Sequence, residues 1–162
     1  MIVKSQERVR PALEWIVGVF DRCDVPYQVV GGLAALAHGG SRPLHDIDLY
    51  APLAGQGDLL EAIANHTVWG PQHFRDESWD LVFMKLQFEG MRVEIGDTSS
   101  QPRYFDRQRN VWVVQDIDFD ASELRTVFGV TLNVIPLHQL LDYKAALGRP
   151  VDLEDVRDLR GA

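Results

Sequence analysis

The chain has 162 residues, enough for one domain that buries roughly 70% of its unfolded surface without a disulfide or a structural metal. Its formal net charge of -8 argues against broad nucleic-acid binding, which requires a basic surface. Segment 1–10 is polar, no apolar run approaches the roughly 20 residues of a membrane span, and Cys23 has no partner for an internal disulfide. We therefore expect a soluble cytoplasmic protein with a single domain over residues 1–162.

Apolar periodicity and turn residues predict an alternation of helices and strands along the chain. Helices are predicted at 5–22, 33–38, 58–65, 136–147 and 152–159, and strands at 27–30, 44–50, 81–88, 91–95, 111–114, 124–128 and 130–134. Glu89-Gly90 lies between two alternating strands, which indicates a β-hairpin. The pattern predicts an α+β (or α/β) domain, a mixed β-sheet flanked by helices, with residues 136–162 as a short C-terminal helical extension.

A pair of aspartates on the second predicted strand is the most informative feature of the sequence. Asp46 and Asp48 are two residues apart, so they project from the same face of that strand. Adjacent carboxylates repel unless a cation lies between them, and Mg2+ is often held by one or two carboxylates plus substrate phosphates. Upstream, Gly31-Gly32 joins a strand to a helix and allows close approach of backbone to phosphate. Together these features predict nucleotide chemistry.

A third acid is expected on the strand 91–95. Glu94 alternates with apolar neighbours, so it would stand beside the aspartates if its strand neighbours theirs, where it would bind metal or accept a proton. Asp97 is the alternative, and we favour Glu94. A second Asp-Ile-Asp, Asp116 to Asp118, lacks an upstream glycine turn and is interpreted as a loop. Trp79 is expected in the core or an interface, with stacking on a base as the alternative.

These motifs resemble the DNA polymerase beta-type nucleotidyltransferase superfamily, whose members share a Gly-Gly or Gly-Ser turn, an Asp-x-Asp and a third carboxylate on a later strand. The run from Lys144 through Arg149-x-x-Asp152-x-x-Asp155 is similar to a C-terminal helix of small bacterial members, notably aminoglycoside and lincosamide nucleotidyltransferases and abortive-infection type toxins. The resemblance covers about residues 29–155 and implies the nucleotidyltransferase fold.

The resemblance implies transfer of a nucleoside monophosphate from a nucleoside triphosphate to an acceptor hydroxyl, with release of pyrophosphate. Gly31 and Gly32 would hold the triphosphate, and Arg42 and Lys144 would neutralise its charge. Two Mg2+ ions, or Mn2+, would be bound by the catalytic and metal-binding acids, namely Asp46, Asp48 and Glu94. Each of the two basic side chains has an equally weighted alternative to phosphate binding. Arg42 could form an ion pair with a nearby acid, and Lys144 could be a solvated charge on its helix. Asp152 and Asp155 are interpreted as capping, solvated residues of the last helix.

Several classes of acceptor molecule are consistent with the sequence. The acidic chain favours a small hydroxylated acceptor, especially a cationic one such as an aminoglycoside, although a protein or RNA acceptor is the alternative. The chain is short beside the larger members of the superfamily that it resembles, so its acceptor site would be open, shared in a homodimer or completed by a partner. The alternative function is a noncatalytic or partner-dependent module of a toxin–antitoxin system.

Overall fold

The computed structural model describes residues 2–161, with side chains from residue 7 onward. Its helices are α1 (Ile2–Cys23), α2 (Gly31–Ala37), α3 (Gly57–Ile63), α4 (Leu137–Leu147) and α5 (Pro150–Arg160). Its strands are β1 (Gln28–Val30), β2 (Asp46–Ala51), β3 (Thr67–Arg75), β4 (Trp79–Phe88), β5 (Met91–Asp97), β6 (Arg103–Asp106), β7 (Val111–Val114), β8 (Glu123–Val127) and β9 (Val130–Val134). None of the described helices is long and apolar enough to cross a membrane.

The strands form one mixed sheet in the order β7-β6-β4-β5-β2-β1-β9-β8, with β3 also paired to β4. The pairs β2–β5 and β1–β9 are parallel, and the others are antiparallel. The predicted α+β class with a mixed sheet is therefore confirmed. The parallel pairing of β2 with β5 sets adjacent to each other the two strands that carry the predicted acids.

Alternation along the central strands separates a buried face from an open one. Ile47, Val93 and Ile95 have no exposed surface and belong to one apolar core with the inward side chains of α1, such as Leu13 and Phe20. Burying each such side chain contributes about 1.5–3 kcal/mol, so this packing fixes the register of the strands. The residues between them therefore project to the opposite face, where the candidate site lies.

The predicted hairpin is present, and its turn explains its register. Strands β4 and β5 pair up to Phe88 and Met91, and Glu89 and Gly90 both have positive φ angles, 48° and 81°. Two consecutive positive φ angles characterise the type I′ turn that suits the twist of a two-stranded hairpin. The hairpin sets Lys85 directly beside Glu94 on β5.

Two strands were absent from the sequence-based prediction. Strand β3 is largely exposed, its register with β4 shifts twice, and Gly70-Pro71 lies within it, so no clean alternation marks it. Strand β6 contains Arg103, which donates to Asp80 on β4. Helix α2 begins at Gly31, two residues earlier than predicted, and this places the glycine pair inside its first turn.

Candidate active site

The three predicted acids lie together on the open face of the sheet. Asp48 and Glu94 are direct neighbours in the parallel pair β2–β5, and Asp46 precedes Asp48 on the same face. One carboxylate oxygen from each lies within 4.8 Å of the other two, and all three residues are half-buried. Three oxygen donors at this separation form a set that can hold a hard divalent cation.

The electrostatics of this acid group are unfavourable without a cation. Burial, with the charges of Asp46 and Glu94, raises the pKa of Asp48 well above its usual range. Burial and Asp46 likewise raise the pKa of Glu94, although Arg92 and Lys85 partly oppose this shift. The fold therefore holds three carboxylates in a place where they repel one another.

Asp97, the alternative third acid, lies outside this group. It is buried at the end of β5, where Oδ1 accepts hydrogen bonds from the backbone N–H groups of Leu53 (2.9 Å) and Ser99 (3.0 Å). Its Oδ2 accepts from the hydroxyl of Ser100 at 2.6 Å. Although burial would raise its pKa, these hydrogen bonds hold that pKa below its usual value. Asp97 therefore caps the turn after β5, and the structure brings Glu94 rather than Asp97 beside the aspartates.

The glycine pair lies directly against the aspartates. Gly31 has a φ of +64°, and a Cβ built on it would lie 2.6 Å from Oδ2 of Asp48. A Cβ on Gly32 would lie 2.8 Å from a guanidinium nitrogen of Arg42. The Gly31 N–H donates to the hydroxyl of Tyr143 at 2.8 Å and so has a protein acceptor. The N–H of Gly32, in the first turn of α2, has no acceptor within the helix.

We expect Gly31→Ala to destabilise the protein by about 2 kcal/mol or more, because it combines a left-handed backbone with a clash against Asp48. Gly57→Ala is the matched control, since a Cβ there meets nothing within 4 Å. Urea unfolding midpoints of the two variants check this. Equal midpoints would contradict the close approach of Gly31 to Asp48.

The two predicted phosphate-binding cations meet at one carboxylate. Arg42 donates to both oxygens of Asp155, at 2.8 and 2.9 Å, and Nζ of Lys144 lies 2.9 Å from Oδ2 of the same residue. Lys144 also lies 3.5 Å from Asp152 and is only 3% exposed. Of the alternatives for Arg42, the ion pair is thus present, whereas the solvated position for Lys144 is excluded.

The interpretation of Asp152 and Asp155 as solvated residues is wrong. They are 0% and 2% exposed because α5 turns them toward α4 and the loop after α2, where they accept hydrogen bonds from Lys144 and Arg42. Arg149, which has no role in the sequence-based prediction, donates to Asp152 at 2.6 Å and lies 5.8 Å from the ring centre of Trp79. The spacing Arg149-x-x-Asp152 was the available signal, since i and i+3 are neighbours on a helix.

A cleft of about 470 Å³ connects these groups. The glycine pair and the acids form its floor, and Arg42, Lys144 and Arg149 line it from the side of the C-terminal helices. Its other residues include Phe74, Trp79, Leu81, Phe83 and Lys85, from β3 and β4. All seven predicted site residues therefore border a single cavity.

Comparison with solved structures identifies the fold. A Thermotoga maritima protein provisionally described as a nucleotidyltransferase superposes with a TM-score of 0.67 and 19% identity, over 94% of each chain. The lincosamide antibiotic adenylyltransferase LnuA, with lincomycin bound, gives a TM-score of 0.59 and 15% identity over 91% of this chain and 94% of that chain. The antibiotic-resistance factor ANT(2'')-Ia, in complex with adenylyl-2''-tobramycin, gives a TM-score of 0.57 and 14% identity over 93% and 87%.

The sequence alone matches no protein-family profile and no curated protein. The similarity therefore rests on the arrangement of helices and strands, which extends over nearly the whole chain. The chain has the nucleotidyltransferase fold, as the resemblance of its motifs implied.

Proposed function

We propose that this protein is a Mg2+-dependent nucleotidyltransferase that transfers a nucleoside monophosphate from a nucleoside triphosphate to an acceptor hydroxyl. One observation carries the proposal: the oxygens of Asp46, Asp48 and Glu94 converge within 4.8 Å beside Gly31. A purely structural role does not account for three mutually repelling carboxylates on an open cleft. The nucleotidyltransferase fold supports the same conclusion.

The residues present fit a divalent cation. All donors are carboxylate oxygens, the type that Mg2+ and Mn2+ prefer, and the missing Cβ of Gly31 leaves Oδ2 of Asp48 accessible from the glycine turn. Asp46, Asp48 and Glu94 would hold one or two ions. When bound, these ions would neutralise the acids and stabilise the charge that develops on the entering and leaving oxygens.

The triphosphate would lie between the glycine turn and the three cations that line the cleft. The N–H of Gly32 is available at the start of α2, and close approach is possible because neither glycine has a side chain. Arg42, Lys144 and Arg149 bring three positive charges against the two negative charges of Asp152 and Asp155. The excess positive charge on this side suits a polyanion.

Glu94 would accept the proton of the attacking hydroxyl. Its carboxylate lines the cleft beside the two aspartates, where an acceptor hydroxyl would have to approach the bound ions. The acceptor oxygen would form a bond to the α-phosphorus while the bond to the bridging oxygen breaks. Pyrophosphate then leaves on the side of the glycine turn.

Calorimetric titration with ATP, GTP, CTP and UTP, with and without Mg2+, tests the proposal. We expect at least one nucleotide to bind only with Mg2+, and binding to be lost in Asp46→Asn/Asp48→Asn because that variant removes two ligand charges. Asp116→Asn/Asp118→Asn is the matched control, since it removes two charges from the second Asp-Ile-Asp, which lies in an exposed loop. That control should bind nucleotide like the native protein.

Two outcomes would contradict the proposal. One is metal-independent binding that survives in Asp46→Asn/Asp48→Asn. The other is the absence of binding by native protein whose circular dichroism and cooperative unfolding show it to be folded, which would favour the noncatalytic or partner-dependent module. If binding is found, pyrophosphate release then identifies the acceptor from hydroxylated small molecules, proteins and RNA.

A further inference from the structure

We propose that the acceptor is a neutral or anionic hydroxylated molecule with a flat apolar or aromatic group, and that this group packs on an aromatic wall formed by Phe74, Trp79, Leu81 and Phe83. This inference rests on the proposed function and adds a substrate class to it. Four observations carry it: the register of the sheet, the side of the acids on which the wall lies, the absence of a spare acid among the described lining residues of the cleft, and the cations beside the wall.

The strand register makes the wall continuous with the acid group. Glu94 on β5 is the direct neighbour of Lys85 on β4, and Phe83 is two residues from Lys85 on the same face. Leu81 follows at the next position on that face, opposite Phe74 on β3. The apolar surface therefore begins one strand away from Glu94 and continues outward to the exposed strand β3.

The wall lies on the side from which the acceptor must enter. Across the sheet the order is β1, β2, β5, β4, β3, so the acids of β2 and β5 lie between the glycine turn after β1 and the wall. In an in-line displacement the attacking and leaving oxygens lie on opposite sides of phosphorus. If pyrophosphate leaves toward Gly31-Gly32, the acceptor approaches across β4 and β3.

The cleft has no acid available for a cationic acceptor. Among its described lining residues the acids are Asp46, Asp48, Glu94 and Asp152. The first three would hold metal, and Asp152 is fully buried against Lys144 and Arg149. Ammonium groups of an aminoglycoside would therefore meet no free carboxylate, in spite of the net charge of -8 on the whole chain.

The cations near the wall point to the same class of acceptor. Nζ of Lys85 lies 5.3 Å from the ring centre of Trp69 and 5.7 Å from that of Phe83, and Arg149 lies over Trp79. Their positive charges disfavour a polycation and accept a neutral or anionic molecule. Phe74 is 37% exposed, so part of the wall is open to a ligand ring.

A pair of probes that differ only in the apolar group tests this directly. Phenyl β-D-glucopyranoside and methyl β-D-glucopyranoside carry the same sugar hydroxyls, and tobramycin supplies the polycationic alternative. Binding constants come from chemical-shift titration of the native protein with Mg2+, with and without ATP. We expect the phenyl glucoside to bind roughly tenfold tighter than the methyl glucoside, the effect of one additional aromatic contact, and tobramycin to bind no tighter than the methyl glucoside.

Phe74→Ala should reduce the affinity for the phenyl glucoside roughly 3–10-fold and leave that for the methyl glucoside unchanged. Phe74 lies on an exposed strand, so the variant is expected to fold. Phe105→Ala is the control, because Phe105 packs edge-to-face against Trp112 and is not among the lining residues of the cleft. It should bind both glucosides like the native protein.

Three results would overturn the inference: equal affinity for the two glucosides, tighter binding of tobramycin, or displacement of the phenyl glucoside by ATP, which would assign the wall to the nucleobase. Each of these leaves metal-dependent nucleotide binding intact. Conversely, ring binding that Phe74→Ala weakens, in a protein that binds no nucleotide, would retain the wall as a ligand site while the proposed function fails.

Discussion

Asp155→Asn is expected to lower the free energy of unfolding by about 3–5 kcal/mol, the usual cost of removing one partner from a buried ion pair. Asp155 is 2% exposed, accepts hydrogen bonds from two guanidinium nitrogens of Arg42, and pairs with the ammonium group of Lys144. Without its charge, Lys144 remains buried with Asp152 at 3.5 Å as its remaining ion-pair partner. The melting temperature should fall by roughly 10 °C or more.

Glu154→Gln provides the matched control for Asp155→Asn. Glu154 is the adjacent carboxylate on α5, but it is exposed, so its loss should change stability by about 0.5 kcal/mol or less. Urea unfolding of both variants measures the difference. A small and equal effect of the two substitutions would contradict the view that Asp155 joins α5 to α4 and to the loop after α2.

The ion pairs of Asp155 make the stability of the protein depend on pH in a defined direction. Although burial opposes ionisation of Asp155, hydrogen bonds from Arg42 and Lys144 hold its pKa below the usual value. The folded state therefore binds this proton less readily than the unfolded state, and the contribution is complete above the ordinary aspartate pKa of about 4. As the pH falls from there through the lowered pKa, the contribution is lost, so the stability gap between native protein and Asp155→Asn should narrow.

The alternation of residues along a strand was sufficient to predict the face on which each of the three acids lies. Alternation on a strand places Asp46 and Asp48 on one face and Glu94 on the polar face of its own strand, whatever the rest of the fold does. Their meeting required one long-range fact, the parallel pairing of β2 with β5. The motif resemblance supplied that fact, because periodicity does not determine which strands are neighbours.

Residues whose role depends on the packing of distant segments were not predictable in this way. Asp155 lies 113 residues from its partner Arg42, and on α5 alone it has the pattern of an exposed helical acid. The aromatic wall was also not predictable, because Phe74 lies on a strand without clear alternation. Its position opposite Leu81 follows only from the pairing of β3 with β4. Sequence alone therefore predicts the acids better than the residues that surround them.

The second large effect is expected for Asp48→Asn, which should act in opposite directions on binding and on stability. Removing a carboxylate from the acid group should weaken Mg2+-dependent nucleotide binding by at least roughly 10–100-fold, the loss that follows when only an outer partner of a metal ligand is removed. In the absence of metal the same change relieves repulsion from Asp46 and Glu94. The metal-free variant should therefore be more stable than the native protein by about 1 kcal/mol, or 2–4 °C in melting temperature.

The contribution of Asp48 to stability changes with pH in the opposite direction to the contribution of Asp155. Burial and the neighbouring acids raise the pKa of Asp48 in the folded state, so the folded protein retains this proton over a range in which the unfolded chain has lost it. Stability of the metal-free native protein therefore falls as the pH rises above about 4 toward the raised pKa. The advantage of Asp48→Asn should be absent near pH 4, grow through that range, and disappear when Mg2+ is added to the native protein.

Thermal unfolding at several pH values, with and without Mg2+, measures these effects, and Asp116→Asn is the control. Asp116 precedes an isoleucine and a second aspartate as Asp46 does, but it is exposed in the loop after β7. Its replacement should change neither the melting temperature nor the response to Mg2+. If Asp48→Asn destabilises the metal-free protein instead, the three acids do not repel one another in the folded state, and the principal physical reason for placing a cation between them is removed.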